Sequence, residues 1–400
     1  MAVIYKKLGE IADISAGGTP KRSNPTYWKN GNIPWVKISD VKGKYLEKTE
    51  EFITEDGLNN SSAKLFKKGT LLYTIFATIG ECAILNIDAS TNQAIAGINV
   101  KSEKVLTEYL YYFLKSIKNT VVNTGRGVAQ NNINLSILKN IDVPLPEIEV
   151  QKKIINLLNK SNELVIKRKA QIEALDQLTQ SVFLEMFGDT VKNPMNWKTY
   201  TLDDVYEIID GDRGKHYPKQ SEFYDEGYCL FLNTGNVTKN GFNFNKTQFI
   251  TKEKDEVLRK GKLKRYDLVL TTRGTVGNIA YYDDNVPYEK IRINSGMVIL
   301  RKKVNINPMF FTYYFRNPSI YKRLISGTAQ PQMPISNLRK AKVYYPPLNL
   351  QNDFENLVQK IEVKKELMKK SLEALEDNFN SLLQRAFKGE LFTEEKVSNL

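Results

Sequence analysis

The 400-residue sequence predicts an α+β fold with an internal pseudo-two-fold repeat. In this fold, two globular domains of mixed strands and helices alternate with two long helices that pair with each other. Three observations predict it. The sequence matches itself at an offset of 200 residues, each half opens with short β-like runs, and each half closes with a heptad stripe of apolar residues.

The repeat is the clearest of these signals. Of the 61 positions from 127 to 187, seventeen carry the same residue as the position 200 residues later, including Gly127, Gln151 and Phe187. That is several times the number expected between unrelated stretches of this composition. Two copies form a pseudo-dimer, because a solenoid needs at least three stacked units.

Boundaries between the segments follow from the repeat and from the change of pattern. The predicted segments are a globular domain over 1–146, a helix over 147–189, a second globular domain over 190–346, a second helix over 347–390 and a tail over 391–400.

Short runs of β-branched and aromatic residues between Gly, Pro and Asn predict the strands of the globular domains. These runs are Ile33 to Val41, Thr70 to Ile75, Ile95 to Val100, Leu268 to Thr272 and Met297 to Leu300. Amphipathic spacing predicts one helix in each domain, near 107–118 and 308–323.

The two long helices are predicted from apolar residues that recur at alternating spacings of three and four. No proline lies between Pro146 and Pro194 or after Pro347, so nothing interrupts either helix. A helical hairpin buried in one core is the alternative, and the narrow stripes favour two helices that pair with each other. The predicted pairing residues are Leu158, Val165, Ile172, Leu175, Val182, Val358, Ile361, Met368, Leu372, Leu375, Phe379 and Leu382.

Positive charge is confined to the globular domains. The chain carries a formal +13, of which residues 1–146 hold +5 and 190–346 hold +11, whereas both helical segments are slightly acidic. Two separate basic bodies indicate two surfaces for a polyanion such as nucleic acid, with an incidental surplus of lysine as the alternative.

Several loops place cations beside amides, which is the chemistry that reads base edges: Arg and Lys donate to guanine, and Asn and Gln pair with adenine. Any single loop could be an ordinary glycine-rich turn, and their recurrence in both halves favours a binding role. The candidate DNA contacts are Lys21, Arg22, Lys37, Ser39, Arg126, Gln130, Asn131, Arg213, Lys215, His216, Asn233, Asn236, Arg273, Gln330 and Gln332.

Catalytic and metal-binding patterns are weak. Two cysteines and one histidine exclude a disulfide scaffold and a Cys/His zinc cluster, and no P-loop occurs. Asn24-Pro-Thr-Tyr27 resembles an adenine-methyltransferase motif but lies in a polar loop, and Asp353 with Glu362-Val-Lys364 falls on a predicted helix. We therefore predict a non-catalytic chain that binds no metal or cofactor. A self-contained methyltransferase or nuclease with an unrecognised site, and a non-specific coiled-coil DNA binder, are the alternatives.

No targeting or membrane signal is evident. The N-terminal segment has no long apolar core, and no run of about 18 apolar residues occurs. The sequence thus predicts a soluble cytoplasmic protein.

With its domains and loops in this order, the chain resembles the DNA-specificity subunits of type I restriction-modification enzymes. The matching phrases are Leu8-Gly-Glu-Ile-Ala-Asp-Ile14, Gly17-Gly-Thr-Pro20, Gly31-Asn-Ile-Pro-Trp35, Arg273-Gly-Thr-Val-Gly277, the Gly-x-Ala-Gln turns at 127–130 and 327–330, and Pro144-Leu-Pro146 followed by Gln151. Two departures are Phe76-Ala-Thr-Ile-Gly80, which lacks the arginine of the second half, and Tyr344-Tyr-Pro-Pro347.

The resemblance implies two target-recognition domains that each read one half of a bipartite double-stranded DNA target. It implies that the two helices pack antiparallel, set the unread spacer and dock two methyltransferase (modification) subunits. Those partners would bring adenosylmethionine, and ATP-dependent restriction subunits, using ATP and Mg, would complete the larger complex. Base contacts vary within the family, so the resemblance assigns none to this chain.

Overall fold

The computed structural model describes residues 4–125, 133–327 and 330–391. The chain divides into two compact units. Unit 1 comprises residues 1–169 and 370–400, and unit 2 comprises residues 170–369. Both boundaries fall inside long uninterrupted helices, a first long helix over Ile148–Phe187 and a second over Leu348–Phe387.

Unit 1 contains two mixed sheets and a short ribbon. The five-stranded sheet has the order Ala12–Ala16, Ile95–Val100, Leu71–Thr74, Cys82–Leu85 and Tyr45–Leu46, antiparallel except for its last pair. The four-stranded sheet has the order Glu51–Ile53, Ile33–Val36, Ala89–Thr91 and Leu65–Phe66, with a parallel central pair. The ribbon pairs Ile4–Lys7 with Asp142–Leu145, so both ends of the globular part meet.

Short helices connect these strands. The α-helices of unit 1 before the first long helix are Leu8–Ile11, Glu55–Asn59, Thr107–Ser116, Lys118–Gly125 and Leu135–Lys139, and the 3-10 turns are Pro25–Tyr27 and Ile38–Asp40. The helix Thr107–Ser116 is the main one, because every residue from Tyr109 to Leu114 is buried.

Unit 2 repeats this plan. Its four-stranded antiparallel sheet has the order Tyr206–Asp210, Met297–Lys302, Leu268–Thr271 and Ile279–Tyr281. A three-stranded sheet has the order Phe249–Ile250, Cys229–Leu232 and Ile291–Ile293, and a ribbon pairs Lys198–Thr201 with Lys342–Tyr345. The hairpin of Val237–Thr238 and Gly241–Phe242 has no counterpart among the strands that the structure describes in unit 1. The shorter helices are Leu202–Val205, Lys252–Val257, Pro308–Arg316, Pro318–Tyr321 and Ile335–Arg339, with 3-10 turns at Gln220–Glu222, Thr234–Asn236 and Lys322–Leu324.

The repeat extends to single hydrogen bonds. The buried amide of Gln151 accepts from the Leu106 N–H at 3.0 Å and donates to the Pro146 carbonyl at 2.9 Å. Gln351, 200 residues later, accepts from the Asn307 N–H at 2.9 Å and donates to the Pro346 carbonyl at 2.7 Å. A buried amide with both groups satisfied fixes the start of each long helix on its globular part.

The core of unit 1 combines its globular part with segments of both long helices. Phe379, Leu383 and Ala386 belong to the same buried cluster as Leu158 and Val165. The Lys169 ammonium lies 2.7 Å from the Glu376 carboxylate. Tyr112 contacts both Asn159 and Phe379. The partner number on the second helix thus falls from 379 to 376 as the first helix advances from 159 to 169, so these segments run antiparallel.

The core of unit 2 has the same construction. Phe183 and Phe187 of the first long helix pack around Phe354 of the second, with ring centroids 5.3 and 5.5 Å from it. Asp176 and Lys365 form an ion pair further along. These two segments are antiparallel as well.

Of the twelve pairing residues predicted from the heptad stripe, Leu158, Val165, Val358 and Phe379 are buried, and the others are half-buried. Four further residues of the long helices pack in the cores but are not among the twelve predicted: Phe183, Phe354, Leu383 and Ala386. Among the helices of the three described ranges, none has an apolar stretch long enough to cross a bilayer.

Several predicted elements were too long. The strand expected over Ile33 to Val41 ends at Val36, because the Lys37 N–H donates to the Asp40 carboxylate and the chain enters a 3-10 turn. The helix expected near 308–323 ends at Arg316, because Asn317 is extended before Pro318. Its counterpart near 107–118 ends at Ser116 and continues as a second helix from Lys118.

Candidate nucleic-acid interface

In unit 2, four of the loops that carry predicted site residues are joined to one another, and one further turn completes them. The unit 2 loop surface, as we define it, consists of 211–216, 233–236, 272–277, 294–296 and the described residues of 326–332. Arg213 donates to the Ser295 carbonyl at 3.2 Å, and the Thr275 hydroxyl donates to the Thr234 carbonyl at 3.3 Å. The Arg273 N–H donates to the Gly296 carbonyl at 3.1 Å, and Arg273 forms a β-bridge with Gln332.

Most predicted contacts on this surface face solvent. Arg213, Lys215, His216, Arg273, Gln330 and Gln332 are exposed, and Asn233 is half-buried. Within the described ranges, the side chains of Lys215 and Arg273 have neither a hydrogen bond nor an ion pair, whereas Arg213 pairs with Asp210 at 3.1 Å. Lys215 and Arg273 are thus the cations of this surface best placed to meet an anion.

Asn236 occupies a different position from the other candidates. It is 3 % exposed, and its amide donates to the carbonyls of Asn243 at 2.9 Å and Lys246 at 2.7 Å. Its oxygen accepts from the Asn233 N–H at 2.9 Å. All its hydrogen-bonding groups serve the protein, so we leave it out of the proposed contacts.

One buried carboxylate organises the 211–216 loop. Asp212 is 6 % exposed and accepts from the N–H groups of Gly214 and Arg259, both at 2.8 Å. Burial alone would raise the pKa of Asp212, but these backbone donors hold that pKa below its usual value. The charged form therefore fixes the loop that presents Arg213 and Lys215.

Unit 1 has an equivalent set of loops, which we call the unit 1 loop surface: 17–24, 36–40, 76–80 and 92–94. The Gly18 N–H donates to the Thr91 carbonyl at 2.9 Å, and the Asn92 N–H donates to the Val36 carbonyl at 3.0 Å. A Cβ on Gly17 would overlap the Thr91 hydroxyl. This close approach explains the first glycine of Gly17-Gly-Thr-Pro20, and a Cβ on the second would overlap Ser62.

Arg22 is held in place before any ligand arrives. Its guanidinium carbon lies 3.7 Å from the ring centroid of Trp28 and 4.7 Å from that of Trp35. Nη1 lies 2.5 Å from the Glu51 carboxylate. Stacking on indole rings and an ion pair together restrict the guanidinium to one plane.

Glu51 also binds Lys37, whose ammonium lies 2.9 Å away. Although burial opposes it, hydrogen bonds from Arg22 and Lys37 lower the pKa of Glu51, and the bond to Glu51 raises the pKa of Lys37. Both cations are therefore partly neutralised within the chain. Lys21 and Ser39 are exposed, and the Lys21 ammonium has no partner in the part of the chain that the structure describes.

Three predicted contacts, Arg126, Gln130 and Asn131, lie outside the described residues. Conversely, our sequence analysis did not single out Glu51 or Asp212 as parts of these surfaces. Glu51 gave no signal because it is far from Arg22 in sequence, whereas Asp212 lies next to a predicted contact.

The residues considered for catalysis do not form a site. Asp353 and Lys364 are exposed along the second long helix, and Glu362 lies beside Lys365 at 3.6 Å. Burial raises the pKa of both Cys82 and Cys229 to about 12, which is the reverse of an activated thiol. Over the described ranges, no group of three or more His, Cys, Asp and Glu residues could hold a metal ion.

Comparison with known proteins gives a consistent result. Residues 3–174 and 194–377 each match the family model described as the type I restriction modification DNA specificity domain. The chain is 26% identical to the type I restriction enzyme MjaIX specificity subunit of Methanocaldococcus jannaschii, over 98% of this chain and 94% of that protein. It is 29% identical to the EcoR124I/EcoR124II specificity subunit of Escherichia coli, over 40% of this chain and 41% of that one.

Two experimental structures share the fold. One, described as the structural basis underlying complex assembly and conformational transition of the type I R-M system, aligns with a TM-score of 0.63 and 18% identity, covering 98% of this chain and 100% of that chain. The S subunit from M. genitalium aligns with a TM-score of 0.51 and 18% identity, covering 97% and 96%.

Proposed function

This chain belongs to the type I restriction-modification DNA specificity family. From that premise we propose that it is the DNA recognition subunit of a restriction-modification complex and that its two loop surfaces bind the DNA. Specificity subunits are non-catalytic. The chain therefore selects the DNA sequence on which its partner subunits act.

The observation that carries the proposal is the repetition of one loop surface on two separate cores. In each unit an Asn-containing turn is hydrogen-bonded to a strand end and to a strand-to-strand turn, and these bonds recur between the copies. A glycine loop joins the same turn in each unit, through backbone N–H groups in unit 1 and through the Arg213 side chain in unit 2. Each copy also presents an exposed lysine without a partner among the described residues, Lys21 in unit 1 and Lys215 in unit 2. Two such surfaces suit a target with two half-sites.

We divide the proposed contacts by chemistry. Lys21, Lys215 and Arg213 would contact phosphates, which give affinity without sequence preference. Gln330 and Gln332 would read base edges, because an amide can donate and accept at the edge of adenine. Asn233, whose side-chain oxygen already accepts from the Gly235 N–H at 2.8 Å, would contribute its amide N–H groups. Arg22, fixed on Trp28, has a planar donor set that suits either a phosphate or guanine.

Partners supply the chemistry in this scheme. We propose that two methyltransferase subunits bind the long helices and bring adenosylmethionine, and that restriction subunits, using ATP and Mg, join a larger complex. The cytoplasm, where bacterial or archaeal DNA and these cosubstrates occur, is the proposed location.

Mapping methylated adenines across the genome, with and without this gene, tests the function. We expect a set of bipartite sites to lose methylation when only this gene is deleted. The purified chain, incubated alone with adenosylmethionine and DNA, should transfer no methyl group. Methyl transfer by the chain alone would support the self-contained methyltransferase instead, and equal binding to all duplexes would support the non-specific binder.

Replacing Lys21 and Arg22 together by Ala should weaken DNA binding and make it less dependent on salt. Each lost phosphate contact reduces the slope of log K against log salt by about 0.9. We expect a change nearer to one contact than two, because Arg22 is already paired with Glu51. Titrations at several salt concentrations measure the slope.

The matched control for this variant is Lys152→Ala with Lys153→Ala, an adjacent pair of exposed cations on the first long helix. Its slope should stay at the wild-type value. If the Lys21/Arg22 variant also keeps the wild-type slope, the 17–24 loop does not touch the DNA backbone.

A further inference from the structure

The two loop surfaces contain the same turn, built by a threonine at the end of a strand. In unit 1 the Thr74 hydroxyl donates to the Thr78 carbonyl and accepts from the Glu81 N–H at 2.9 Å. In unit 2 the Thr271 hydroxyl donates to the Thr275 carbonyl and accepts from the Asn278 N–H at 3.0 Å. Both turns therefore have the same internal frame.

The backbone of the turn is matched as well. The apex residue of the turn is Phe76 in unit 1 and Arg273 in unit 2. The residues that follow it, Ala77 and Gly274, have φ values of 57° and 70°. The glycines that close the turn, Gly80 and Gly277, have φ values of 89° and 92°. The residue before the apex is tied to the neighbouring turn in both copies. The Ile75 N–H donates to the Ala94 carbonyl at 2.9 Å, as the Thr272 N–H does to the Gly296 carbonyl at 2.8 Å.

A third tie fixes the other side. The Ile75 carbonyl accepts from the Ile133 N–H at 3.1 Å, and the Thr272 carbonyl accepts from the Met333 N–H at 2.9 Å. Each apex residue is therefore presented by a frame that is hydrogen-bonded on both sides. The two apex side chains occupy equivalent places on their own units.

These apex residues differ completely in chemistry. Unit 1 has Phe76, a phenyl ring that is 39% exposed, and unit 2 has Arg273, which is exposed and whose guanidinium has no partner in the described ranges. Backbone contacts hold the Arg273 turn in place: the Thr275 hydroxyl donates to the Thr234 carbonyl, and Arg273 forms a β-bridge with Gln332. The same rigid turn therefore exposes an unpaired cation in unit 2 and an aromatic ring in unit 1, at the same place on the repeated loop surface. This difference implies that the two units make different contacts with a ligand at this place.

We propose that this apex touches DNA in both half-sites, through an ionic bond from Arg273 to a phosphate in one and an uncharged contact from Phe76 to a sugar or base in the other. The proposal rests on the proposed function and goes beyond it. It states that the two loop surfaces differ at an equivalent position, where one contributes a positive charge to DNA binding and the other contributes none. The larger positive charge of the second globular segment, +11 against +5, agrees with this inequality.

Reciprocal substitutions test it, using the full chain in complex with its methyltransferase subunits and a duplex carrying the target found by methylation mapping. Arg273→Phe should reduce the salt slope by about 0.9, and Phe76→Arg should increase it by the same amount. Phe76→Ala should lower the affinity several-fold at every salt concentration and leave the slope alone. Arg273→Lys keeps the charge and should keep the slope.

Phosphate ethylation interference gives a positional readout. Wild-type binding should be weakened by ethylation of one phosphate that no longer matters to Arg273→Phe, and Phe76→Arg should gain one sensitive phosphate in the opposite half-site. An unchanged slope in either reciprocal variant, or an unchanged affinity in Phe76→Ala, overturns the inference. Thermal unfolding should change little, because both side chains are exposed.

Preference of the wild-type complex for its target over a scrambled duplex is measured first. If that preference is absent, the proposed function fails. If it is present and the reciprocal variants leave the slope unchanged, only the inference about the apex fails.

Discussion

Removing residues 167–173 and 370–376, one heptad from each long helix, is expected to abolish recognition of the original target and to create recognition of a shorter one. Seven helical residues rise about 10.5 Å, which corresponds to about three base pairs of DNA. The half-sites should keep their sequences, because the deletion leaves both loop surfaces intact. Binding to the original target should fall by about 10²–10⁴, the advantage of engaging two linked sites at once.

Each deleted segment contains one partner of the Lys169–Glu376 ion pair, so the deletion removes both charges together. A whole heptad keeps the apolar stripe in register. Methylated adenines mapped in cells carrying this variant give the new target. Inserting one heptad in each helix is the control and should lengthen the spacer by the same amount. Altered half-site sequences, or an unaltered spacer, would show that the helices do not set the spacing.

Phe354→Ala is expected to cost about 3–5 kcal/mol of the free energy of unfolding, the usual loss for a fully buried aromatic residue. Phe354 is 0% exposed, and its ring lies between those of Phe183, Phe187 and Tyr313 at centroid distances of 5.3, 5.5 and 5.3 Å. The residues around the vacated space come from the first long helix and from the helix Pro308–Arg316, so they cannot collapse into it without shifting a helix.

Urea unfolding monitored by circular dichroism measures this loss. Leu357→Ala is the matched control, one helical turn away on the same helix and 41% exposed, and it should cost less than about 1 kcal/mol. If both variants unfold at the same urea concentration, Phe354 is not a centre of packing in unit 2.

The long helices could be predicted from the sequence because their causes are local. Proline is absent and the apolar spacing is regular, so the expected segment over 147–189 differs little from the observed Ile148–Phe187. The expected helix near 308–323 was too long, since amphipathic spacing continues past residue 317 although Pro318 forces the preceding residue to be extended.

The loop surfaces could be predicted in part. Glycines beside cations predicted loops that the structure brings together within each unit, but the partners of each side chain depend on strand pairing. Arg22 reaches Glu51 because Trp35 and Glu51 are paired in neighbouring strands, a register that the sequence around Arg22 does not reveal. Asn236 is taken up by the carbonyls of Asn243 and Lys246, which its own loop gives no reason to expect.

Each long helix begins in one unit and ends in the other. This arrangement determines the order in which the units can fold on the ribosome. Unit 2 is one contiguous stretch, residues 170–369, and is complete before synthesis ends. Unit 1 begins first but stays open until Phe379, Leu383 and Ala386 emerge to cover its apolar face. Domains usually fold from the N-terminus onward during synthesis. Here the first domain to be translated is the last to close, and a premature stop codon after residue 369 would spare the second domain and leave the first one uncovered.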